Sequence, residues 1–306
     1  MLANQTAKDL WICVPDQASD DYVRQMAIML RDRLDPRLAL YVEFSNEVWN
    51  WEYLETRRNS AAAIVEGSAG PCALNDYGAV TNQGYWGWRR VAAQTVRISR
   101  IFSEVFGPTA MNTRVRPVLA SQMGYRYMLP HQLEWMARRY GPPSQFIYGI
   151  AGAPYFGPTG ADRTRTDLTV DQVVALTDAS LNYWITLFRP DPNFRGRLDW
   201  GNMPTYASLA RFYGLRSLAY EGGPDTAGAA SLQAKIAANR DPRFAASVER
   251  FLHAWYDNGN DLCMYFTLSG ADGQYGEFGL YTDLTEDTPK SQAVERVAQW
   301  LSRTPR

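Results

Sequence analysis

The sequence predicts an α/β fold of the (β/α)8 TIM-barrel type. Short apolar runs alternate with segments of helical period, the pattern of βα units around a parallel sheet. The longest irregular stretches, at about 48–83, 156–169, 222–240 and 269–288, follow strands, while most helix-to-strand links are short. That asymmetry fits a barrel whose loops at the C-terminal strand ends carry function. Neither GxGxxG nor GxxxxGK[ST] occurs, so a doubly wound sheet would lack a phosphate cradle. The 306 residues are expected to form a single domain.

The first strand is Leu10–Val14, closed by Pro15-Asp16. Val23, Met26, Ala27, Leu30 and Leu34 then recur at helical spacing, with Asp20 or Asp21 as the expected cap and Asp35-Pro36 as the stop. The second strand starts from Leu38–Val42 and leads to Glu47. A long Gly-rich connection through Gly67, Gly70, Gly78 and Gly84 follows, and a helix carrying Val91, Ile98, Phe102 and Val105 ends at Gly107-Pro108. Val115–Ser121 is the third strand despite Pro117, which lacks a ladder donor. Leu133, Met136 and Tyr140 mark a short helix, and Phe146–Ala151 the fourth strand, ending at Pro154-Tyr155. Helices are expected over Val170–Phe188 and Tyr206–Tyr213, separated by a Pro/Gly-rich link from Arg189 to Pro204. The fifth strand runs from Leu215 to Tyr220 and ends in Glu221. A helix with Val248, Phe251, Leu252 and Trp255 precedes the sixth strand, Leu262–Leu268, and Val294, Val297, Ala298 and Leu301 form the closing helix.

Composition narrows the chemistry. Lys+Arg 31 against Asp+Glu 32 gives a net charge of -1, with no global attraction to nucleic acid or to an anionic membrane. No run approaches the length of a membrane span, and Met1–Thr6 has neither the charged nor the apolar region of a signal peptide. Cys13, Cys72 and Cys263 lie far apart without CxxC spacing, and His131 and His253 are the only histidines. Neither a zinc centre nor a Ser-His-Asp triad is indicated, so carboxylates are the expected reagents, without metal or cofactor.

Two carboxylates occupy equivalent places. Leu38-Ala39-Leu40-Tyr41-Val42 leads into Glu43-Phe44-Ser45-Asn46-Glu47, and Leu215–Tyr220 leads into Glu221-Gly222-Gly223. A pair of carboxyl groups suffices to break a glycosidic bond: one protonates the leaving oxygen and the other attacks the anomeric carbon or activates water. A separation of about 5.5 Å implies retention and one beyond about 6.5 Å implies inversion. The bland alternative is that Glu47 is a solvated strand end. Glu43 and Glu47 share parity along an extended strand, so both are expected to point the same way, and an inward Glu43 needs a hydrogen-bonding partner.

These residues carry a resemblance. Glu43-Phe44-Ser45-Asn46-Glu47 resembles the E-x-x-N-E ending of barrel strand 4 in clan A glycoside hydrolases, which include many cellulases and other retaining β-glycanases. Tyr220-Glu221-Gly222 is similar to that clan's strand 7 ending. The resemblance implies that Glu47 is the acid/base, Glu221 the nucleophile, and Asn46 a partner of the sugar hydroxyl beside the reacting carbon. Tyr155 matches the tyrosine that steadies the nucleophile. It implies a polysaccharide or oligosaccharide substrate of β-glucan or cellulose type, and extracellular action for the full-length protein. It spans strands 3 to 8, six βα units, without the first two strands, and open barrel edges are expected to favour self-association. No residue matches the clan's strand 2 arginine, Ala153 stands where a strand 6 histidine is common, and the aromatic ending strand 8 is Tyr265 or Phe266.

Trp49 and Trp51 follow Glu47 directly, and Trp49 is the expected sugar platform, since pyranose faces stack on indole rings. Tyr85, Trp86 and Trp88 end the same long loop, and Trp86 and Trp88 are expected to pin it to the barrel. Asp16, Gln17 and Gln122 sit at strand ends, with Gln122 a candidate substrate contact beside Tyr265. Arg89-Arg90 and Arg138-Arg139 are expected on solvated helix faces, and both histidines in structural roles. The leading expectation is a retaining, two-glutamate glycoside hydrolase. The alternatives are a non-catalytic carbohydrate-binding barrel, told apart by glycan binding without hydrolysis, and a barrel enzyme of proton abstraction, told apart by a metal among Asp16, Glu43 and Glu47.

Overall fold

The structure, a computed structural model, describes residues 1–185, 202–283 and 285–303. Its strands are β1 (Leu10–Val14), β2 (Leu40–Phe44), β3 (Val115–Ala120), β4 (Gly149–Gly152), β5 (Tyr155–Phe156), β6 (Arg216–Ala219) and β7 (Gly223–Pro224). Its α-helices are α1 (Leu2–Thr6), α2 (Asp20–Arg33), α3 (Leu54–Ser68), α4 (Gln83–Phe106), α5 (Met128–Tyr140), α6 (Val170–Ile185), α7 (Met203–Phe212), α8 (Leu232–Asn239), α9 (Pro242–Asp257) and α10 (Pro289–Arg303). The chain divides into two compact units, residues 1–152 with 208–217, and residues 153–207 with 218–306.

In the first unit β1, β2, β3 and β4 pair in chain order, all parallel, with β6 next in the sheet. Arg216 N–H starts that last pairing by donating to Tyr148 O at 3.1 Å. β2 has neighbours on both sides, and all five of its residues are buried, which is why it reads as apolar throughout except at Glu43 rather than as an alternation. Leu40, Val115, Val118, Leu119 and Ile150 are fully buried, and α4 turns Val91, Ala92, Val96 and Phe102 inward. Each of these side chains larger than Ala92 contributes about 1.5–3 kcal/mol of burial. Pro117 sits within β3, where its carbonyl still accepts from Tyr148 N–H at 2.8 Å.

Several expected elements shift. Ser19, not Asp20 or Asp21, caps α2: its Oγ accepts from Tyr22 N–H at 3.2 Å, while the two aspartates occupy the first turn, where the helix dipole favours them. The fourth strand begins at Gly149, because Pro143–Gln145 form a 3-10 turn that Phe146 closes. The Gly-rich connection holds α3, whose buried residues are Thr56, Asn59, Ala63 and Gly67. With no apolar stripe, that helix gives no hydrophobic period.

The second unit packs α6, α8, α9 and α10 around Phe156 and Trp255. Phe156 and Phe251 lie 5.1 Å apart, Tyr206 and Trp255 6.3 Å, and Leu168, Val173, Ala238 and Phe244 form a buried cluster. α8 lies inside the stretch expected to be irregular after Glu221. The expected helix to Phe188 is seen to Ile185, and the rest of it and most of the Pro/Gly-rich link lie outside the described residues. The expected sixth strand is reduced to one bridge, Ala219 to Cys263. Its backbone bonds are shared among three partners: Met264 N–H goes to Ala219 O, Phe266 N–H to Gly222 O and Thr267 N–H to Phe278 O, so no ladder continues. Among the described residues the parallel sheet therefore has five strands, with β5 and β7 forming a separate pair.

A buried polar network ties the end of this unit. Lys235, fully buried, donates to the carbonyls of Arg163, Ala227 and Gly228 at 3.2–3.5 Å. Lys290, 2% exposed, donates to Asn239 Oδ1 and Glu277 O, and burial lowers its pKa to about 8. Burial also raises the pKa of Glu277, whose carboxyl accepts from Thr226. Among the described residues no helix is long and apolar enough to cross a membrane.

Candidate active site

Glu47 lies three residues beyond the end of β2. Ser45 and Glu47 both adopt left-handed backbone, φ 57° and 44°, conformations that L-residues avoid unless the surroundings enforce them. The enforcing contacts are local. Asn50 N–H and Thr56 Oγ1 donate to Glu47 O at 2.8 and 3.2 Å, and Asn50 Nδ2 donates to Glu47 Oε2 at 2.9 Å. The side chain is 7% exposed, while Asn46 beside it is half-buried. Since the strand stops at Phe44 and two residues turn left-handed, the expected common parity of Glu43 and Glu47 does not hold.

Glu43 stays inside, 1% exposed, and accepts from Trp11 Nε1–H at 2.9 Å across the β1–β2 pair. This supplies the partner that a buried carboxylate demands. Trp49 lines a small cavity with Glu43, Phe44, Trp88, Met128 and Gln132, its indole N–H buried, and Trp51 is the exposed indole of this loop at 63%. Gln122, half-buried, stands beyond the end of β3, the strand next to β2. Asn46, Glu47, Trp49 and Gln122 thus belong to neighbouring strand ends of the first unit. Asp16 is occupied by a two-pronged pair with Arg58, at 2.7 and 2.9 Å.

The second unit gathers the other three predicted residues. Glu221, half-buried, follows β6 by two residues and precedes Gly222 and Gly223, the second of which opens β7. Tyr155 pairs in register with Gly223, and a Cβ on Gly223 would stand 3.1 Å from the ring of Tyr265. Gly223 has φ 139°, a conformation that favours glycine, and a Cβ on Gly222 would stand tightly against Pro154 at 3.1 Å. The Tyr155 ring is held edge-on by Phe266 and Phe278 at 6.4 and 6.0 Å. Burial raises the pKa of the Tyr265 hydroxyl and raises that of the Cys263 thiol to about 12, which leaves the thiol protonated at neutral pH.

No protein-family model and no curated protein matches the chain. Among solved structures it is similar to one described as that of two fungal β-1,4-galactanases. The identity is 9% and the TM-score 0.36, over 94% of this chain and 86% of that chain.

Sequence reasoning missed Trp11, Asn50 and Thr56, whose roles depend on contacts across strands and turns. It also placed Arg89 on a solvated face, whereas Arg89 is 2% exposed. Its guanidinium donates to Leu74 O at 2.7 Å and to His131 Nε2 at 3.1 Å, and pairs with Asp76 at 3.0 Å. Because Nε2 accepts, His131 is neutral, and its ring stands 4.3 Å from that of Tyr85. Trp86 does pin its loop: Nε1–H donates to Val80 O at 2.9 Å and the ring covers Gly67.

Burial, then the positive charges of Arg89 and Arg138, lower the pKa of His131 to about 4. An unfolded histidine titrates near 6.5, so between pH 6.5 and 4 the unfolded chain holds the extra proton. Stability contributed by neutral His131 is complete above pH 6.5 and falls as the pH drops toward 4. Discounted for a half-buried ring, the loss at pH 4.5 is about 1–2 kcal/mol. Urea unfolding at pH 7 and pH 4.5 is expected to show this difference in the unmodified chain and not in His131→Gln; equal slopes in both would reject it.

Proposed function

We propose that the chain is a retaining glycoside hydrolase of β-linked polysaccharide, with Glu47 as acid/base and Glu221 as nucleophile. The observation that supports this most directly is the placing of both glutamates just beyond the ends of strands of one sheet, each in a backbone turn that departs from the strand. Glu47 delivers its proton to the glycosidic oxygen as Glu221 attacks the anomeric carbon, and a glycosyl ester forms on Glu221. Glu47 then takes a proton from water, which attacks that carbon and frees Glu221. Asn46 binds the adjacent hydroxyl, Tyr155 and Tyr265 flank the nucleophile's turn, and Gln122 and Trp49 complete the substrate contacts.

The test is incubation of the full chain with soluble cellulose derivatives, mixed-linkage β-glucan, β-1,4-galactan and β-mannan. Reducing ends are expected to appear with at least one of them, and proton NMR is expected to show the β-anomer first. The α-anomer first would replace retention by inversion. Retarded migration in a polysaccharide gel with no reducing ends would select the non-catalytic carbohydrate-binding alternative.

A further inference from the structure

The second unit carries a groove of about 550 Å³ that shares only Tyr155 with the residues assigned to the two-glutamate mechanism. It is lined by Tyr155, by the following loop, Gly157 to Thr159, and by the last turns of α6 with Tyr183 and Trp184. Its size falls within the range of small-molecule sites, about 300–1,000 Å³. The loop is fixed on the helix: Gly157 N–H donates to Ser180 Oγ at 3.1 Å, so the serine hydroxyl keeps its own proton to donate. Asp162 lies on the wall, its carboxylate 39% exposed and 3.4 Å from Arg165. Tyr183 is 66% exposed, and its ring stands edge-on to that of Trp184 at 6.2 Å.

We propose that this groove binds a neutral pyranose residue of a β-linked sugar chain. The match is chemical. A pyranose in such a chain has flat C–H faces, which suit the indole of Trp184, and equatorial hydroxyls, which suit Asp162, Ser180 and Thr159. Arg165 is paired with both Asp162 and Asp167, so it offers a uronic acid no unmatched positive charge. Tyr155 lines the groove and pairs with Gly223, two residues from Glu221. On the glycoside-hydrolase reading above, Tyr155 links this groove to the nucleophile's turn, and the groove serves as an outer subsite.

Calorimetric titration of the full chain with the hexasaccharides of β-1,4-glucose, β-1,3-glucose and β-1,4-galactose, and with the matching disaccharides, tests it. At least one hexasaccharide is expected to bind, with affinity lowered about tenfold in Trp184→Ala and largely kept in Trp184→Phe, and disaccharide affinity unchanged in both. Near-ultraviolet circular dichroism checks that both variants stay folded. Binding of none of the hexasaccharides, or equal hexasaccharide affinity in Trp184→Ala and the unmodified chain, overturns the groove. Trp184-dependent binding without release of reducing ends would keep the groove and reject hydrolysis. Hydrolysis in which Trp184→Ala binds and cleaves the hexasaccharide as well as the unmodified chain would do the reverse.

Discussion

Glu221→Gln is expected to reduce hydrolysis of a β-linked polysaccharide by at least about 10³-fold while leaving its binding intact. The amide keeps the shape of the side chain but has no charge with which to attack the anomeric carbon. Glu47→Gln is expected to cost about 10²–10⁴-fold on a natural glycoside, and much less on an aryl glycoside whose leaving group needs no proton. Small nucleophiles separate the two roles. Azide should restore turnover to Glu221→Ala with an α-glycosyl azide as product, and to Glu47→Ala with the β-product, because in the second case it intercepts the glycosyl-enzyme. Full turnover by Glu221→Gln would remove that residue from the mechanism.

Gly157→Ala is expected to destabilise the second unit by about 3 kcal/mol, at the upper end of overpacking costs. A Cβ there would lie 1.9 Å from Asp225 O and 2.8 Å from Asp225 C, which are backbone atoms with no rotamer to change. The collision falls at the end of the β5–β7 pair, where Asp225 N–H also donates to Phe156 O at 2.8 Å. Relief requires the two strands to part, and that movement displaces Tyr155 from Gly223. Calorimetry should show a melting point lower by roughly 6 °C or more, with activity reduced at temperatures where the chain is still folded. An unchanged melting point would mean that the backbone absorbs the added methyl elsewhere.

Legibility followed the physics of burial. β1 was readable from its unbroken apolar run, Leu10–Val14, although only Val14 of it is buried, β3 from Val115, Val118 and Leu119 on either side of Arg116 and Pro117, and α4 because its inward face is Val91, Val96, Ile98 and Phe102. The positions of Glu47 and Glu221 were readable as the ends of such runs. α3 and α8 were not, since their buried faces consist of Thr56, Asn59, Ala63 and Gly67, and of Lys235, Ala238 and Asn239. The run Leu262–Leu268 has strand composition, yet its hydrogen-bond partners are set by tertiary structure. The left-handed backbone at Glu47 was equally silent, because it is imposed by Asn50 and Thr56 rather than by glycine. Arg89 is buried because Leu74 and Asp76, on the loop before α4, receive its charge and its donors.

The buried lysines of the second unit have a practical corollary. The chain contains three lysines, Lys8, Lys235 and Lys290. Two of them are sealed in the polar network that joins α8, Glu277 and α10, while Lys8 is exposed. On the folded protein, acylating reagents can therefore reach a lysine amine only at Lys8, which offers a single lysine handle for a dye or a solid support in the first unit. Acylation at Lys235 or Lys290 then marks molecules in which the second unit has opened.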